Sequence, residues 1–310
     1  MTIVVSHPAC VAHETPPGHP ESPARLRQVL NTLKLEEFQS LDWVLAPKAS
    51  RESLALAHTP ALIDSILGHA PIAEREFVAM DPDTFMSPGT ADAALRAAGA
   101  AIEAVDRIVA GEVKNAFCAV RPPGHHAGRD HAMGFCLFNN VAVGAMHARA
   151  AHGLNRIAVI DFDVHHGNGT QDIFWNDANL FYASTHQAPL YPGTGNADET
   201  GISCNIVNVP LAPNSDTKDF RDAMSEIVLP KLEIFAPEFI FISAGFDAHT
   251  ADPLAQLELH EDDFEWATLK ICEIASRCCD GRVVSSLEGG YDLGALARSA
   301  AAHVRALMEA

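Results

Sequence analysis

The sequence predicts an α/β protein: a three-layer α/β/α domain around a mostly parallel central sheet. Three observations carry this. Short apolar runs alternate with longer segments of helical periodicity. Several runs are nearly continuous rather than alternating, which suits strands covered on both faces. Polar clusters recur directly after the runs, and open parallel sheets carry their sites at the carboxyl ends of strands. No linker-like stretch or repeat divides the 310 residues, so one domain over 1–310 is expected.

In chain order, helical periodicity marks helices from Pro23 to Leu33, Arg51 to Leu67 and Ala91 to Val109. The run Ala116 to Val120 reads as a strand, followed by a helix from Val141 to His152. Uninterrupted or near-continuous apolar runs then mark strands at Ile157 to Ile160, Leu180 to Ala183 and Ile206 to Val209. A helix from Phe220 to Phe235 precedes a strand from Phe239 to Ser243. A helix from Asp262 to Cys279, a strand from Val283 to Ser286 and a helix from Leu293 to Leu307 complete the pattern.

Composition narrows the function classes. Hydrophobic residues make up 48% of the chain, and the formal charge is -19. No basic stripe for phosphates is present, so direct nucleic-acid binding is not expected. An acidic surface suits cationic substrates such as acylated lysines or polyamines, and equally suits plain solubility. Met1-Thr2-Ile3-Val4-Val5 lacks the basic and long apolar regions of a signal peptide, and no apolar run reaches membrane-spanning length. A cytoplasmic protein with no membrane association is expected. The seven cysteines form no CxxC pair and read as buried free thiols in a reducing compartment.

The most informative stretch is Asp161-Phe162-Asp163-Val164-His165-His166-Gly167-Asn168. In an extended chain Asp161, Asp163 and His165 point the same way, and such a cluster is costly unless neutralised. A divalent ion such as zinc accepts this mixture of oxygen and nitrogen ligands. Asp163 and His165 have chelating spacing. A third ligand must come from elsewhere, and loop position leaves Asp247 and Asp252 both open. His125-His126 follows Pro122-Pro123-Gly124 after a strand. One imidazole would activate water and the other manage protons at the leaving group. Asp161 would orient one ring and Asn168 the other, separating their proton affinities. Tyr291, after Gly289-Gly290, would donate to a developing oxyanion. Ser184-Thr185-His186 and Ala244-Gly245-Phe246-Asp247 also fall at strand ends. No serine nucleophile elbow, phosphate loop or dinucleotide fingerprint competes.

These motifs resemble the zinc-dependent histone deacetylase family, which includes bacterial deacetylase-like amidohydrolases and acetylpolyamine amidohydrolases and shares its fold with arginases. The resemblance runs from about His19 to Leu296. It rests on His19-Pro20-Glu21-Ser22-Pro23-Ala24-Arg25-Leu26, Arg121-Pro122-Pro123-Gly124-His125-His126 and Gly134-Phe135-Cys136. It rests further on the Asp161 to Thr170 stretch, Ser184-Thr185-His186, Asp252-Pro253-Leu254-Ala255 and Glu288-Gly289-Gly290-Tyr291. It implies zinc held by Asp163, His165 and Asp252, with His126 the main acid-base residue and His125 its electrostatic partner. It implies channel walls at Phe135 and Tyr191, substrate contacts at Gly124 and Gly289, and a rim aspartate at Asp83. Structural potassium is implied near Asp161, Asp163, His165, Ser184 and Thr185, with a second site near Phe174. Asn168 and the Asp-Pro-Leu-Ala stretch point to the class II-like branch, and Tyr291 to a competent enzyme.

The implied reaction is hydrolysis of an acylated amine: acyl-lysine, acetylpolyamine or similar. The chain carries no long tails of the kind expected of a chromatin regulator, so small or general acylated amines are expected ahead of histones. Two rivals are a non-catalytic acyl-lysine binding module and a two-manganese ureohydrolase on the same fold. A homo-oligomer that narrows the channel rim is compatible with the sequence.

Overall fold

A computed structural model describes residues 1–73 and 76–310. The chain opens with strand β1 (Thr2–Ser6), buried along its whole length. Helices α1 (Pro8–Ala12) and α2 (Pro23–Thr32) each carry proline in the first turn, where its missing N–H goes unneeded. Strand β2 (Asp42–Leu45) forms one edge of the sheet. Sequence periodicity announced neither β1 nor β2.

The helix expected from Arg51 to Leu67 is two helices, α3 (Arg51–Leu54) and α4 (Pro60–Gly68). Pro60 causes the break, because a residue before proline avoids the α region. Thr59 then caps the new N-terminus, its hydroxyl accepting from Leu62 N at 3.4 Å. A small antiparallel ribbon, β3 (Val78–Ala79) with β4 (Phe85–Met86), precedes the long helix α5 (Thr90–Val109).

The α/β alternation then follows the expected order, with one short helix, Asn168–Phe174, that helical periodicity did not mark because it spans only seven residues. It runs β5 (Asn115–Cys118), α6 (Asn140–His152), β6 (Ile157–Asp161), α7 (Asn168–Phe174), β7 (Leu180–Gln187) and β8 (Ile206–Leu211). Next come α8 (Thr217–Ala223) and α9 (Leu229–Phe235), the two ends of the helix expected from Phe220 to Phe235. Its true start is Thr217, where Asp216 and Asp219 form a reciprocal capping box. Between the two helices, Met224–Val228 widens into a π turn just before Pro230, which has no N–H for a regular ladder bond. Strand β9 (Phe239–Ala244), helix α10 (Glu261–Cys278), strand β10 (Val283–Leu287) and helix α11 (Leu293–Glu309) complete the chain.

The eight-stranded sheet has the order β2-β1-β5-β10-β9-β6-β7-β8. Every pairing in it is parallel. Helices α5 and α6 pack together on one part of the sheet, and α2, α10 and α11 form another helical layer. The buried apolar residues make one contiguous cluster. Phe162 and Phe246 meet His303 within it, and Phe264 packs against both phenylalanines; burying each such phenyl ring contributes about 1.5–3 kcal/mol.

Chain order leaves β5 and β6 apart in the sheet, with β10 and β9 inserted between them. The five central strands β5, β10, β9, β6 and β7 are therefore neighbours, and their carboxyl ends carry all the polar clusters. Strand β7 continues through Ser184-Thr185-His186-Gln187, which are buried although polar. That polar end read as loop in the sequence. The cysteines are all free, but only five are buried: Cys204 is exposed in a surface turn, and Cys278, in α10's last turn, is half-buried at the margin of the core. Among the described residues no helix is long and apolar enough to cross a membrane.

Candidate active site

The loop after β5 carries His125 and His126, whose ring centroids lie 4.0 Å apart. His125 Nδ1 stands 3.0 Å from Asp161 Oδ2 at the end of β6. His126 Nδ1 stands 2.8 Å from Asn168 Oδ1 at the start of α7. Both expected partnerships are therefore present, and their chemistry differs. Burial opposes protonation of His125, but Asp163 and Asp161 outweigh it and lift its pKa to about 10. Burial drives His126 well below the ordinary value, and the neighbouring His125 and His165 push it further down. One ring is held charged and the other neutral. The neutral ring donates Nδ1–H to the Asn168 carbonyl oxygen, which leaves Nε2 as a free acceptor. Tyr182 fixes the charged pair from behind, its hydroxyl donating to Asp161 Oδ2 at 3.1 Å and accepting from Gly167 N at 2.9 Å.

The convergence of Asp161, Asp163 and His165 has a cause other than the expected strand alternation. Strand β6 ends at Asp161, and two side-chain-to-backbone turns follow. Asp161 Oδ1 accepts from Asp163 N at 3.1 Å, and Asp163 Oδ1 accepts from His165 N at 2.9 Å. Such turns are a habit of aspartate.

Asp163, His165 and Asp247 bring ligand atoms within 4.8 Å of one another. His165 Nδ1 is 3.1 Å from both Asp163 Oδ1 and Asp247 Oδ2. Asp252, which the resemblance names as third ligand, stands outside this group because backbone amides hold its carboxylate. Its oxygens accept from Leu254 N at 3.0 Å and Tyr291 N at 2.7 Å. Burial and the nearby Asp247 raise its pKa to about 7. Burial opposes ionisation of Asp163, but His125 and His165 hold its carboxyl well below the usual range. Five carboxyl groups are buried here: Asp161, Asp163, Asp247, Asp252 and Glu288. They outnumber the two imidazoles, His125 and His165, whose pKa is raised, and a divalent cation would lower the excess of buried negative charge. The donor set of carboxylates and imidazole fits zinc.

A cavity of about 260 Å³ opens onto this cluster. Its wall holds Asp83, His126, Phe135, His165, Tyr191 and Tyr291, as expected, together with Gly134, Leu190 and Leu254. Two expected substrate contacts are not on the wall. Gly124 is buried, its N–H donating to Glu288 Oε2 and its carbonyl accepting from Ala127 N. Gly289 is buried behind the cluster, donating its N–H to Asp163 Oδ2 at 2.8 Å. Gly134 takes the wall position instead. A Cβ there would stand 2.5 Å from the His126 ring, and its φ of +56 favours glycine. Its place beside Phe135 in the Gly-Phe-Cys stretch was the available signal. Phe135 itself has φ 68, a strained value for a bulky residue. It is held by its N–H to Thr84 Oγ1 and by the His19 ring, 4.7 Å from its own.

Sequence reasoning gave no role to the network beneath the site. Glu21 binds Arg121 through both carboxylate oxygens and Arg25 at 3.0 Å. All three are fully buried. Burial opposes the Glu21 charge, but Arg121 foremost holds its carboxyl well below the ordinary range. Arg121 begins the loop that carries the two histidines. Arg25 donates to the Glu288 and Gly290 carbonyls, and its guanidinium lies 4.8 Å from the Tyr291 ring centroid. One carboxylate thus ties the histidine loop to the tyrosine loop. Glu288 supports the first from the other side, accepting from Gly124 N and His125 N.

Around the expected monovalent cation position, Asp161, Asp163, His165, Ser184 and Thr185 are all buried. Ser184 Oγ lies 2.9 Å from His186 Nδ1, while Thr185 Oγ1 is buried without a hydrogen-bond partner.

Residues 19–307 match the histone deacetylase domain family. The chain is 39% identical to a histone deacetylase-like amidohydrolase of Pseudomonas aeruginosa, over 88% of this chain and 73% of that one. It is 39% identical to a probable deacetylase of Archaeoglobus fulgidus, over 96% and 83%. It is 37% identical to a chloroplastic histone deacetylase of Arabidopsis thaliana, over 99% and 76%. The crystal structure of the HDA15 HD domain superposes with a TM-score of 0.93 at 36% identity, covering 99% of this chain and 88% of that one.

Proposed function

This chain belongs to the histone deacetylase family of hydrolases, and we propose that it is a zinc-dependent amidohydrolase that removes acyl groups from acylated amines. The observation that carries this reading is the histidine pair. One ring is charged against Asp161, one is neutral against Asn168, and the neutral one lines the same cavity as Tyr291.

Asp163, His165 and Asp252 would hold the zinc, with Asp247 behind His165. Asp247 Oδ2 stands 3.1 Å from His165 Nδ1 and its Oδ1 accepts from Val164 N, so it would orient the His165 ring and the loop that carries it. When bound, zinc supplies a Lewis acid that polarises the amide carbonyl and acidifies a water. His126 Nε2 accepts the proton of the attacking water and delivers it to the leaving amine. His125 stays protonated and stabilises negative charge as it develops. The Tyr291 phenol, whose pKa burial holds well above the ordinary value, stays protonated and donates to the oxyanion. Phe135 and Tyr191 exclude water from the acyl-amine arm, and Asp83 sits at the rim for a cationic or N–H-bearing group. Structural potassium beside Ser184 and Thr185 would satisfy the orphaned Thr185 hydroxyl.

The chain would act as one catalytic unit, on small or general acylated amines ahead of histones, as a monomer or homo-oligomer. A cytoplasmic site of action suits its free cysteines. The test is a kinetic panel of acetyl-lysine peptides, acetylated polyamines and longer acyl-lysines, run with and without chelator. Chelator-sensitive amine release is expected, and Tyr291→Phe should lower turnover about 10²–10³-fold. Binding of acyl-lysine with no turnover on any substrate would favour the non-catalytic rival.

A further inference from the structure

The second monovalent cation expected near Phe174 meets a different occupant. The turn that follows α7 brings the carbonyl oxygens of Phe174, Asp177 and Leu180 around one point. Asn205 Nδ2 stands at that point, 3.0, 3.2 and 2.8 Å from them. We infer that the Asn205 side-chain amide occupies the place of the second cation, so that this chain closes the cage with its own side chain and holds no cation there. The inference extends the potassium part of the reading above and does not depend on the catalytic part.

Four features support it. The three neighbours are all acceptors, so only the NH₂ end of the amide can face them. Phe174 O and Asp177 O already accept from Asp177 N and Leu180 N at 3.2 and 3.0 Å. Each therefore has one remaining lone pair, and the amide takes it. Asn205 is 3% exposed, so an ion could enter only by expelling a buried side chain. Finally, the chain makes room for the other end of the amide. Gly201 has φ +68, and a Cβ on it would stand 2.4 Å from Asn205 Oδ1. The Ser203 N–H donates to that same oxygen at 3.4 Å.

An NH₂ group has two hydrogens for three carbonyls, whereas a cation satisfies all three at once. Exchange of one for the other is thus chemically natural. The amide, being covalently attached, makes this corner of the fold indifferent to the ions in solution. Removing it should recreate an ion site.

The test is anomalous diffraction from wild-type and Asn205→Ala crystals grown with rubidium in place of potassium. Wild type should show no anomalous peak among the Phe174, Asp177 and Leu180 oxygens, and Asn205→Ala should show one. In solution, potassium against choline chloride at equal ionic strength should raise the Tm of Asn205→Ala more than that of wild type. A rubidium peak inside the wild-type cage would overturn the inference without need of any variant. A folded Asn205→Ala protein with no peak there would overturn it as well. A peak, or none, beside Asp161 and Ser184 reports separately on the first cation site.

Discussion

Glu21→Gln is the perturbation that probes the frame of the site most sharply. Glu21 is fully buried between two guanidiniums, with Arg121 on both its oxygens and Arg25 at 3.0 Å. Glutamine keeps the shape but turns an NH₂ group toward N–H donors and leaves two buried cations with no compensating charge. Breaking a buried pair in this way costs about 3–5 kcal/mol. For a chain of this size that corresponds to a fall in Tm of about 5–8 °C. The loss should reach catalysis too, since Arg121 anchors the histidine loop and Arg25 anchors the Tyr291 loop. Urea unfolding followed by circular dichroism gives the first quantity, and amine release from an acetyl-lysine peptide gives the second. Asp222→Asn, which removes an exposed partner of Lys218, is the control and should leave the urea midpoint unchanged. A Glu21→Gln protein within about 1 kcal/mol of wild type would refute the argument that this carboxylate clamps the two loops.

Three further outcomes follow from the same geometry. His303 is buried between Thr268 and Ser285, and burial lowers its pKa to about 3; His58 is likewise lowered to about 4. A histidine whose folded pKa lies below its unfolded value near 6.5 contributes stability that is complete above 6.5 and lost as pH falls toward the folded value, at about 1.4 kcal/mol per pH unit. Urea unfolding at pH 7 and pH 5 should therefore show a steep loss, and His303→Gln a shallower one; equal slopes would contradict this. Asp252→Asn should lose zinc by elemental analysis, while Asp247→Asn should retain it at reduced affinity; the reverse order would make Asp247 the ligand. Gly134→Ala places a methyl 2.5 Å from the His126 ring at φ +56. It should lower kcat while zinc stays bound, and unchanged kcat would show that the His126 ring tolerates displacement.

Much of this was legible in the sequence, and the gaps have physical reasons. Continuous apolar runs mark buried parallel strands, so β5 to β10 appeared at nearly their observed positions. Strand β1 was missed because a single short run at a chain start carries no flanking turn signal. The polar end of β7 was missed because its buried hydroxyls and imidazole serve the site rather than an apolar core. Prolines 60 and 230 broke helices whose periodicity continued across them. At the site, the partners of His125 and His126 could be read because aspartate and asparagine make distinguishable demands on an imidazole. Gly134 in place of Gly124 could not, since a wall position depends on how a loop turns back. The Glu21, Arg25 and Arg121 clamp also lay beyond sequence reasoning. A buried ion pair between residues 100 positions apart has no local pattern.

On the proposed reading, the buried cluster of carboxylates and imidazoles holds one zinc that His126 and Tyr291 need for amide hydrolysis. Titration of metal-stripped protein with zinc, following amine release from an acetyl-lysine peptide and bound metal together, tests it most directly. No turnover is expected without metal and full activity at one equivalent, with His126→Ala binding zinc yet inactive. Undiminished turnover by the stripped protein, or a full rate from zinc-loaded His126→Ala, would contradict it.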